Sequence, residues 1–300
     1  AVIYSVSATT SACGTSNQGN VTLVINSLPA APVVNNNGPV CDGSTINLSA
    51  SNITGAAYNW SGPNGFTSNS QNPSITNANS AKKGLYSVYV TVAGCGTSPT
   101  ASTDVVTHVI PAAPSATSGG AVCLGDSLKL FASSNTVGPN AIFTWTGPNS
   151  FNSNIKNPFI QNSTALNTGS YSLTVTDSGC VSPSSSAIVI VKPIPSAPTP
   201  SNNSPICEGV TLMLSASNVS GATYKWTGPN FSSTDQNPLL KDLLSSGSGT
   251  YSVSSIVNGC SSVPANTTVL INATPNAPTA SNSGPKCIGD NITLSASNIT

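Results

Sequence analysis

The sequence predicts an all-β protein built as a tandem array of antiparallel sandwich domains. Three observations carry the prediction. Cys-x-Gly recurs at Cys41, Cys123, Cys207 and Cys287, and Trp-(Ser/Thr)-Gly-Pro-Asn at Trp60, Trp145 and Trp226, with a period of 80 to 85 residues. Repetition at a fixed period sets the architecture before any local reading. Inside each period, apolar and polar residues alternate over short runs, the signature of half-buried strands. Turn residues interrupt these runs about every 8 to 12 positions, the spacing of a sandwich.

Each period reads in the same order. Pro29-Ala-Ala-Pro32 returns as Pro111-Ala-Ala-Pro114, Pro195-Ser-Ala-Pro198 and Pro275-Asn-Ala-Pro278. Two prolines three apart stiffen the chain toward polyproline II and remove donors, which marks linkers. A strand follows the Cys-x-Gly turn: Ile46-Asn-Leu-Ser-Ala, matched by Leu128-Lys-Leu-Phe-Ala and Leu212-Met-Leu-Ser-Ala. Next comes Ala57-Tyr-Asn-Trp60, closed by the turn signal Gly62-Pro-Asn-Gly65. Gln71-Asn-Pro-Ser-Ile75 recurs as Lys156-Asn-Pro-Phe-Ile160 and Gln236-Asn-Pro-Leu-Leu240. The longest strand is expected over Gly84 to Val92, with counterparts from Gly169 and Gly249. A Gly-Cys turn then leads to a final strand such as Thr103 to Ile110.

The expected units are 29–110, 111–193 and 194–273. They are flanked by the last part of a repeat in 1–28 and the first part of another in 274–300. Tyr4 stands at the phase of Tyr86 and Thr300 at that of Thr54. Together those flanks lack the tryptophan phase, so the reading is a segment of a longer array. Each unit has about 82 residues, within the range of a domain but small enough to gain from a covalent staple.

Composition narrows function. The chain has eight Lys and no Arg, eight Asp plus Glu, and zero net charge. Phosphate backbones and anionic membranes both recruit clustered cations, so neither nucleic acid nor a membrane surface is an expected partner. No apolar run approaches the roughly 18–20 residues of a spanning helix. Eight cysteines in register point to an oxidising compartment. Structural zinc is disfavoured because there is no CxxC and only one histidine.

The order of Leu strand, Trp strand and Gly-x-Tyr strand resembles the immunoglobulin-like and PKD-like folds. The resemblance implies that Trp60, Trp145 and Trp226 lie on strand C in the core. It also implies that Tyr86, Tyr171 and Tyr251 take the tyrosine-corner position opening strand F. The mid-strand cysteine positions of immunoglobulins hold Ala50 and Val88 here. The full pattern, Val-Cys-x-Gly-(Ser/Asp), Trp-x-Gly-Pro-Asn, Gly-x-Tyr-Ser-Val, Gly-Cys, is similar to the tandem repeats of giant Bacteroidota surface adhesins. These include the gliding-motility adhesins exported by the type IX pathway.

Two cysteine pairings are open. The default joins Cys41 to Cys95, Cys123 to Cys180 and Cys207 to Cys260 within modules. In the implied topology, strands B and F run the same way, which puts those members at opposite poles. Nine steps from Tyr86 to Cys95 span about 30 Å of strand, whereas a disulfide needs Cα atoms within roughly 7 Å. Head-to-tail stacking brings the F–G turn of one module to the A–B turn of the one before. The preferred scheme is therefore Cys41 with Cys180 and Cys123 with Cys260. It leaves Cys13, Cys95, Cys207 and Cys287 with partners beyond the segment.

Little else suggests chemistry. His108 stands on a final strand near Asp104 without a catalytic motif, and reads as a solvated strand residue. Asp42, Asp126, Glu208 and Asp290 sit at the A–B turns and read as turn caps, with too few carboxylates per junction for calcium. No cofactor or metal is expected. Asp126-Ser127-Leu128 matches an O-glycosylation signal associated with that bacterial group. Asn-x-Ser/Thr triplets such as Asn52-Ile-Thr arise freely in so polar a repeat. Tyr58, Phe66, Phe143, Phe151, Tyr224 and Phe231 flank the tryptophans and read as core or junction residues, with sugar stacking as the rival.

The function expected is a non-enzymatic stalk or filament segment of an extracellular, cell-surface adhesin, an elongated rod stiffened by disulfides. The alternative is an array of glycan-binding modules. The partners suggested are neighbouring repeats, other copies in a filament, and surface glycans.

Overall fold

The computed structural model describes residues 1–135 and 137–298; Thr300, and with it the phase match to Thr54, lies outside them. Three Ig-like antiparallel β-sandwiches follow one another along the chain, and no α-helix occurs among the described residues. In the first sandwich, one sheet orders Val34–Asn36, Ile46–Ala50 and Ser74–Ile75. The other orders Phe66–Ser68, Ala56–Gly62 and Gly84–Val92, with Ala101–Val105 along the far side of Gly84–Val92. The second and third sandwiches repeat this arrangement.

Alternation decides the faces. Ile46, Leu48 and Ala50 are buried while Asn47 and Ser49 are exposed. The facing strand buries Tyr86, Val88 and Val90. These residues join Trp60 in one closed core per sandwich, matched by clusters around Trp145 and Trp226. All three indoles and the three Gly-x-Tyr tyrosines are buried, at 2 % exposure or less.

The repeated motifs have physical explanations in this core. The Tyr86 hydroxyl donates to the Lys82 carbonyl at 2.8 Å, Tyr171 to Asn167 at 2.9 Å and Tyr251 to Gly247 at 3.0 Å. Each acceptor ends a short 3-10 turn just before the strand. The tyrosine ring lies over the glycine of Trp-x-Gly. A Cβ on Gly62, Gly147 or Gly228 would sit 2.3 to 2.4 Å from that ring. Gly62 therefore belongs to the strand, with extended φ of −170°, and not to the turn as expected. The turn begins one residue later, where Asn64 (φ 54°) and Gly65 (φ 71°) occupy the left-handed region.

The (Gln/Lys)-Asn-Pro motif serves as the neighbour of the Leu strand. The Gln71 carbonyl accepts the Trp60 indole, and the Gln71 amide donates to Ala50. The Asn72 side chain accepts from Ala50 and the Pro73 carbonyl from Leu48. Gln236 and Asn237 repeat the bonds to Trp226 and Ala216. A buried indole N–H and a strand edge are thus satisfied together.

The final strand differs from the single run expected over Thr103 to Ile110. It breaks at Val106. Ala101–Val105 pairs antiparallel with Gly84–Val92, and Thr107–His108 then crosses to pair parallel with Val40–Cys41. That crossover recurs as Val191–Lys192 on Val122–Cys123 and Ile271–Asn272 on Ile206–Cys207. It closes one edge between the sheets and fixes the first cysteine of each module at the module end.

The flanks are simpler. Val2–Val6 pairs with Gly19–Leu23, and Ala280–Asn282 with Leu294–Ala296; every residue of these four strands is exposed.

Candidate functional site at the module junctions

The features that distinguish this chain chemically lie between sandwiches. At the first junction, Cys41 leaves its two-residue strand just ahead of the Asp42-Gly43 turn. Its sulfur is bonded to that of Cys180 at 2.01 Å, with Cα atoms 5.7 Å apart. At the second, Cys123 is bonded to Cys260 at 2.04 Å, with Cα atoms 5.6 Å apart. Both bonds run from the A–B turn of one module to the F–G turn of the next. Cys13, Cys95, Cys207 and Cys287 are unbonded. Loop entropy does not choose between pairings. The observed bonds close 139 and 137 residues, worth about 5 kcal/mol each in the chain-entropy estimate, against about 4 kcal/mol for the 55-residue intra-module loops. Reach decides, because the intra-module partners sit at opposite poles.

Backbone hydrogen bonds build the acceptor side identically each time. Asp42 N donates to the His108 carbonyl at 2.9 Å, Leu124 N to Lys192 at 2.8 Å and Glu208 N to Asn272 at 2.9 Å. Cys41 is register-paired with His108, Cys123 with Lys192 and Cys207 with Asn272. The donor side is a tight hairpin. Asp177 pairs with Cys180 and Val257 with Cys260, leaving Ser178-Gly179 and Asn258-Gly259 as two-residue turns. All four turn residues have φ between 51° and 86°, as a type I′ hairpin requires. Cys180 and Cys260 are buried, at 1 % and 0 % exposure.

The unbonded F–G cysteines belong to a longer turn. Cys95-Gly-Thr-Ser98 and Cys13-Gly-Thr-Ser16 carry one more residue before the serine than Cys180-Val-Ser182. Val92 accordingly pairs with Gly96, and Thr10 with Gly14, which puts each cysteine inside the turn. The serine is the reference point. Ser98 Oγ accepts from Val90 N, Ser182 Oγ from Val175 N and Ser262 Oγ from Ser255 N, each at 3.0 Å. This register difference was visible in the sequence, but only by counting from the serine and not from the tyrosine.

Polar contacts across the junctions differ. Lys192 Nζ donates to the Asn258 carbonyl of the next F–G turn at 2.8 Å. His108 takes the equivalent place at the first junction. Its carbonyl lies 3.8 Å from Cys180 Sγ, while its imidazole makes no hydrogen bond among the described residues. Cys123 Sγ lies 3.9 Å from the Gly259 carbonyl.

The remaining candidates resolve locally. Asp126 and Asp290 accept from the backbone N–H of Cys123 and Cys287, each at 3.2 Å. Glu208 Oε1 accepts from Ser245 N at 2.6 Å, and this bond lowers its pKa. Asp42 Oδ1 is buried without a partner among the described residues. No three of His, Cys, Asp and Glu gather into a metal-holding group there. Asp104 is exposed and pairs with Leu85 in the sheet. Tyr58, Phe143 and Tyr224 are buried. Phe66, Phe151 and Phe231 are half-buried, packed 5.4 to 5.9 Å from the core tyrosines. A surface groove of about 670 Å³ on the third sandwich is lined by Thr223, Tyr224, Lys225, Trp226, Ser233 and Ile256, among others, and by no carboxylate, histidine or cysteine. No helix among the described residues is long and apolar enough to cross a membrane.

No protein-family profile matches the chain, and no curated protein sequence does. Solved structures similar to it include tandem immunoglobulin arrays. Sidekick-1 immunoglobulin domains 1–5 align at 14 % identity and a TM-score of 0.35, over 91 % of this chain and 66 % of that one. The N-terminal eight Ig domains of Down Syndrome Cell Adhesion Molecule align at 11 % and 0.41, over 88 % and 39 %. Three N-terminal domains of the bacteriophage RB49 Highly Immunogenic Outer Capsid protein align at 12 % and 0.35, over 81 % and 98 %. This chain thus spans under two thirds of the first two. At these scores, the fold assignment rests on the strand order above.

Proposed function

We propose that the chain is a structural stalk or filament segment of a long bacterial cell-surface adhesin, with 29–110, 111–193 and 194–273 as its units and no chemistry of its own. The observation that carries this reading is the pair of bonds Cys41–Cys180 and Cys123–Cys260. Each module is tied to the next by its linker and again by a sulfur–sulfur bond. One attachment leaves a hinge; a second covalent attachment beside it removes part of that freedom. A stiff rod holds whatever it carries at a fixed distance from its anchor. Persistent disulfides fit an extracellular location.

The low charge and the Ser, Thr and Asn surface suit a spacer that must not adhere along its length. Three of the six flanking rings are buried and the other three pack half-buried on the core tyrosines, which favours this reading over the alternative, an array that grips glycans. The likeness to gliding-motility adhesins rests on the repeat motifs and supports the adhesin assignment on that footing.

The test is small-angle scattering with and without a thiol reductant. At roughly 40 Å per module, the oxidised chain should show one long maximum dimension and the profile of a rod. After reduction the profile should broaden to that of a jointed chain, while the near-ultraviolet signal of the buried tryptophans persists. A profile unchanged on reduction would contradict the proposal.

A further inference from the structure

We propose that the outer face of the three-stranded sheet in the second sandwich, around Lys129, Phe131 and Phe159, binds an acidic sugar, a pyranose that carries a carboxylate.

Strand Leu128–Ser133 lies between Ser115–Ser118 and Phe159–Ile160. Its alternation sends Leu128, Leu130 and Ala132 inward and Lys129, Phe131 and Ser133 outward. The register sets Phe159 opposite Lys129, so the two phenylalanines are diagonal neighbours on one face, roughly 7–8 Å apart. Of the six phenylalanines in the chain, these two are exposed, at 42 % and 58 %; the other four are buried or half-buried. The corresponding residues are Asn47, Ser49 and Ser74 in the first sandwich, and Met213, Ser215 and Leu239 in the third. A fourth change goes with them. Asn37 and Asn203 accept from Asn47 N and Met213 N in the other sandwiches, and Gly119 stands in their place. A Cβ there would meet Lys129 Cβ at 3.8 Å and the Phe131 ring at 3.9 Å, so the glycine leaves that side of the ring uncovered. Both neighbours build the same sheet without any of the four, so packing does not call for them.

The chemistry of the face selects the occupant. A pyranose has an apolar C–H face and a rim of hydroxyls. Its slightly positive C–H groups suit the negative face of a phenyl ring. Ser115, Thr117 and Ser133 stand exposed on the same face, and their hydroxyls make no hydrogen bond among the described residues. Lys129 Nζ likewise has no partner there. The three strands hold no Asp or Glu, so this ammonium is their one charge and calls for one carboxylate. Other occupants fit less well. Leu128–Ser133 is the middle strand of its sheet, so no peptide adds to it as a further strand. Two rings and one lysine fall far short of the roughly 1,200 Å² that a stable protein interface buries.

The site is a single patch, not a repeated one, and uses none of the rings that flank the tryptophans. It goes beyond the stalk reading without resting on it: a polar spacer carries one point of sugar contact in its second module.

The test titrates the full chain with tetragalacturonate, and separately with its uncharged methyl ester, following backbone amide chemical shifts. The acid should shift residues of Ser115–Ser118, Leu128–Ser133 and Phe159–Ile160, and bind more tightly than the ester. Lys129→Asn should remove that preference. Phe131→Ser with Phe159→Ser should weaken binding by about tenfold or more. These are the residues the first sandwich carries, so the fold accepts them, and the near-ultraviolet signal of the tryptophans should not change. The reverse graft, Asn37→Gly, Asn47→Lys, Ser49→Phe and Ser74→Phe, should give the first sandwich the same shifts. No shifts on this face, or equal binding by the double phenylalanine variant, would overturn the proposal. So would self-association of the parent, by sedimentation, that the double variant loses, since the face would then be an interface between copies.

Discussion

The two junctions share one covalent plan and differ in their polar contacts. The Cα separations across the bonds are 5.7 and 5.6 Å, and both acceptor frames use the same backbone bond. Yet Lys192 reaches over the second junction to Asn258, while His108 makes no such bond over the first. Inside the sandwiches the reverse holds: tryptophan, tyrosine, glycine and the Asn-Pro motif repeat with the same partners. The repeat thus holds constant the core and the staple, whose geometry tolerates no change. It varies the half-buried residue beside the staple, His108 or Lys192.

The largest expected effect tests the sameness of the cores. Trp145→Ala removes a fully buried indole and should cost about 3–5 kcal/mol, enough to unfold a small module. Trp226→Ala should cost the same within error by urea denaturation. Unequal losses would show that the modules are not equivalent frames.

Gly147→Ala tests the close approach that explains the Trp-x-Gly motif. Its new Cβ would lie 2.4 Å from the Tyr171 ring, and overpacking of this kind costs about 1–3 kcal/mol. A neutral result would mean that the ring can step aside.

Alkaline pH probes the tyrosines. Burial raises the pKa of Tyr86, Tyr171 and Tyr251 above the ordinary value of 10.0. The folded state therefore holds protons that the unfolded chain releases. The associated stability is fully present below about pH 10 and is lost as pH climbs through the raised values. Phenolate absorbance should rise together with loss of the near-ultraviolet signal. Ionisation of these three tyrosines near pH 10 with the fold intact would contradict this.

The smallest effect separates the junctions. Lys192→Ala should leave module stability within about 0.5 kcal/mol, since the pair is exposed. Under reduction, spin labels across the second junction should show a broader distance distribution in the variant than in the parent. The first junction should broaden equally in both. Equal broadening at both junctions of the parent would erase the distinction drawn from Lys192.

Much of this was legible because periodicity reports burial directly. Alternation at Ile46 to Ala50 and Gly84 to Val92 marked two of the strands, and the resemblance to the immunoglobulin-like folds implied core places for Trp60 and Tyr86. The crossover at Val106 was not legible, since nothing local shows which neighbour Thr107-His108 pairs with. Gly62 was read as a turn residue because Gly-Pro-Asn-Gly is a turn signal. Its real constraint is the Tyr86 ring, 24 positions away in sequence, which no local pattern displays. The longer Cys-Gly-Thr-Ser turn was written in the sequence but is invisible when cysteines are counted from the preceding tyrosine. Lys192 gave no signal at all, since one lysine in a sequence looks like any other until its acceptor is placed.

The account's central claim is that sulfur ties each module to its neighbour. Peptide mapping of the unreduced chain, with free thiols alkylated before digestion, reads this directly. The account predicts fragments joining Cys41 to Cys180 and Cys123 to Cys260, with Cys95 and Cys207 alkylated. A fragment joining Cys41 to Cys95 would contradict it.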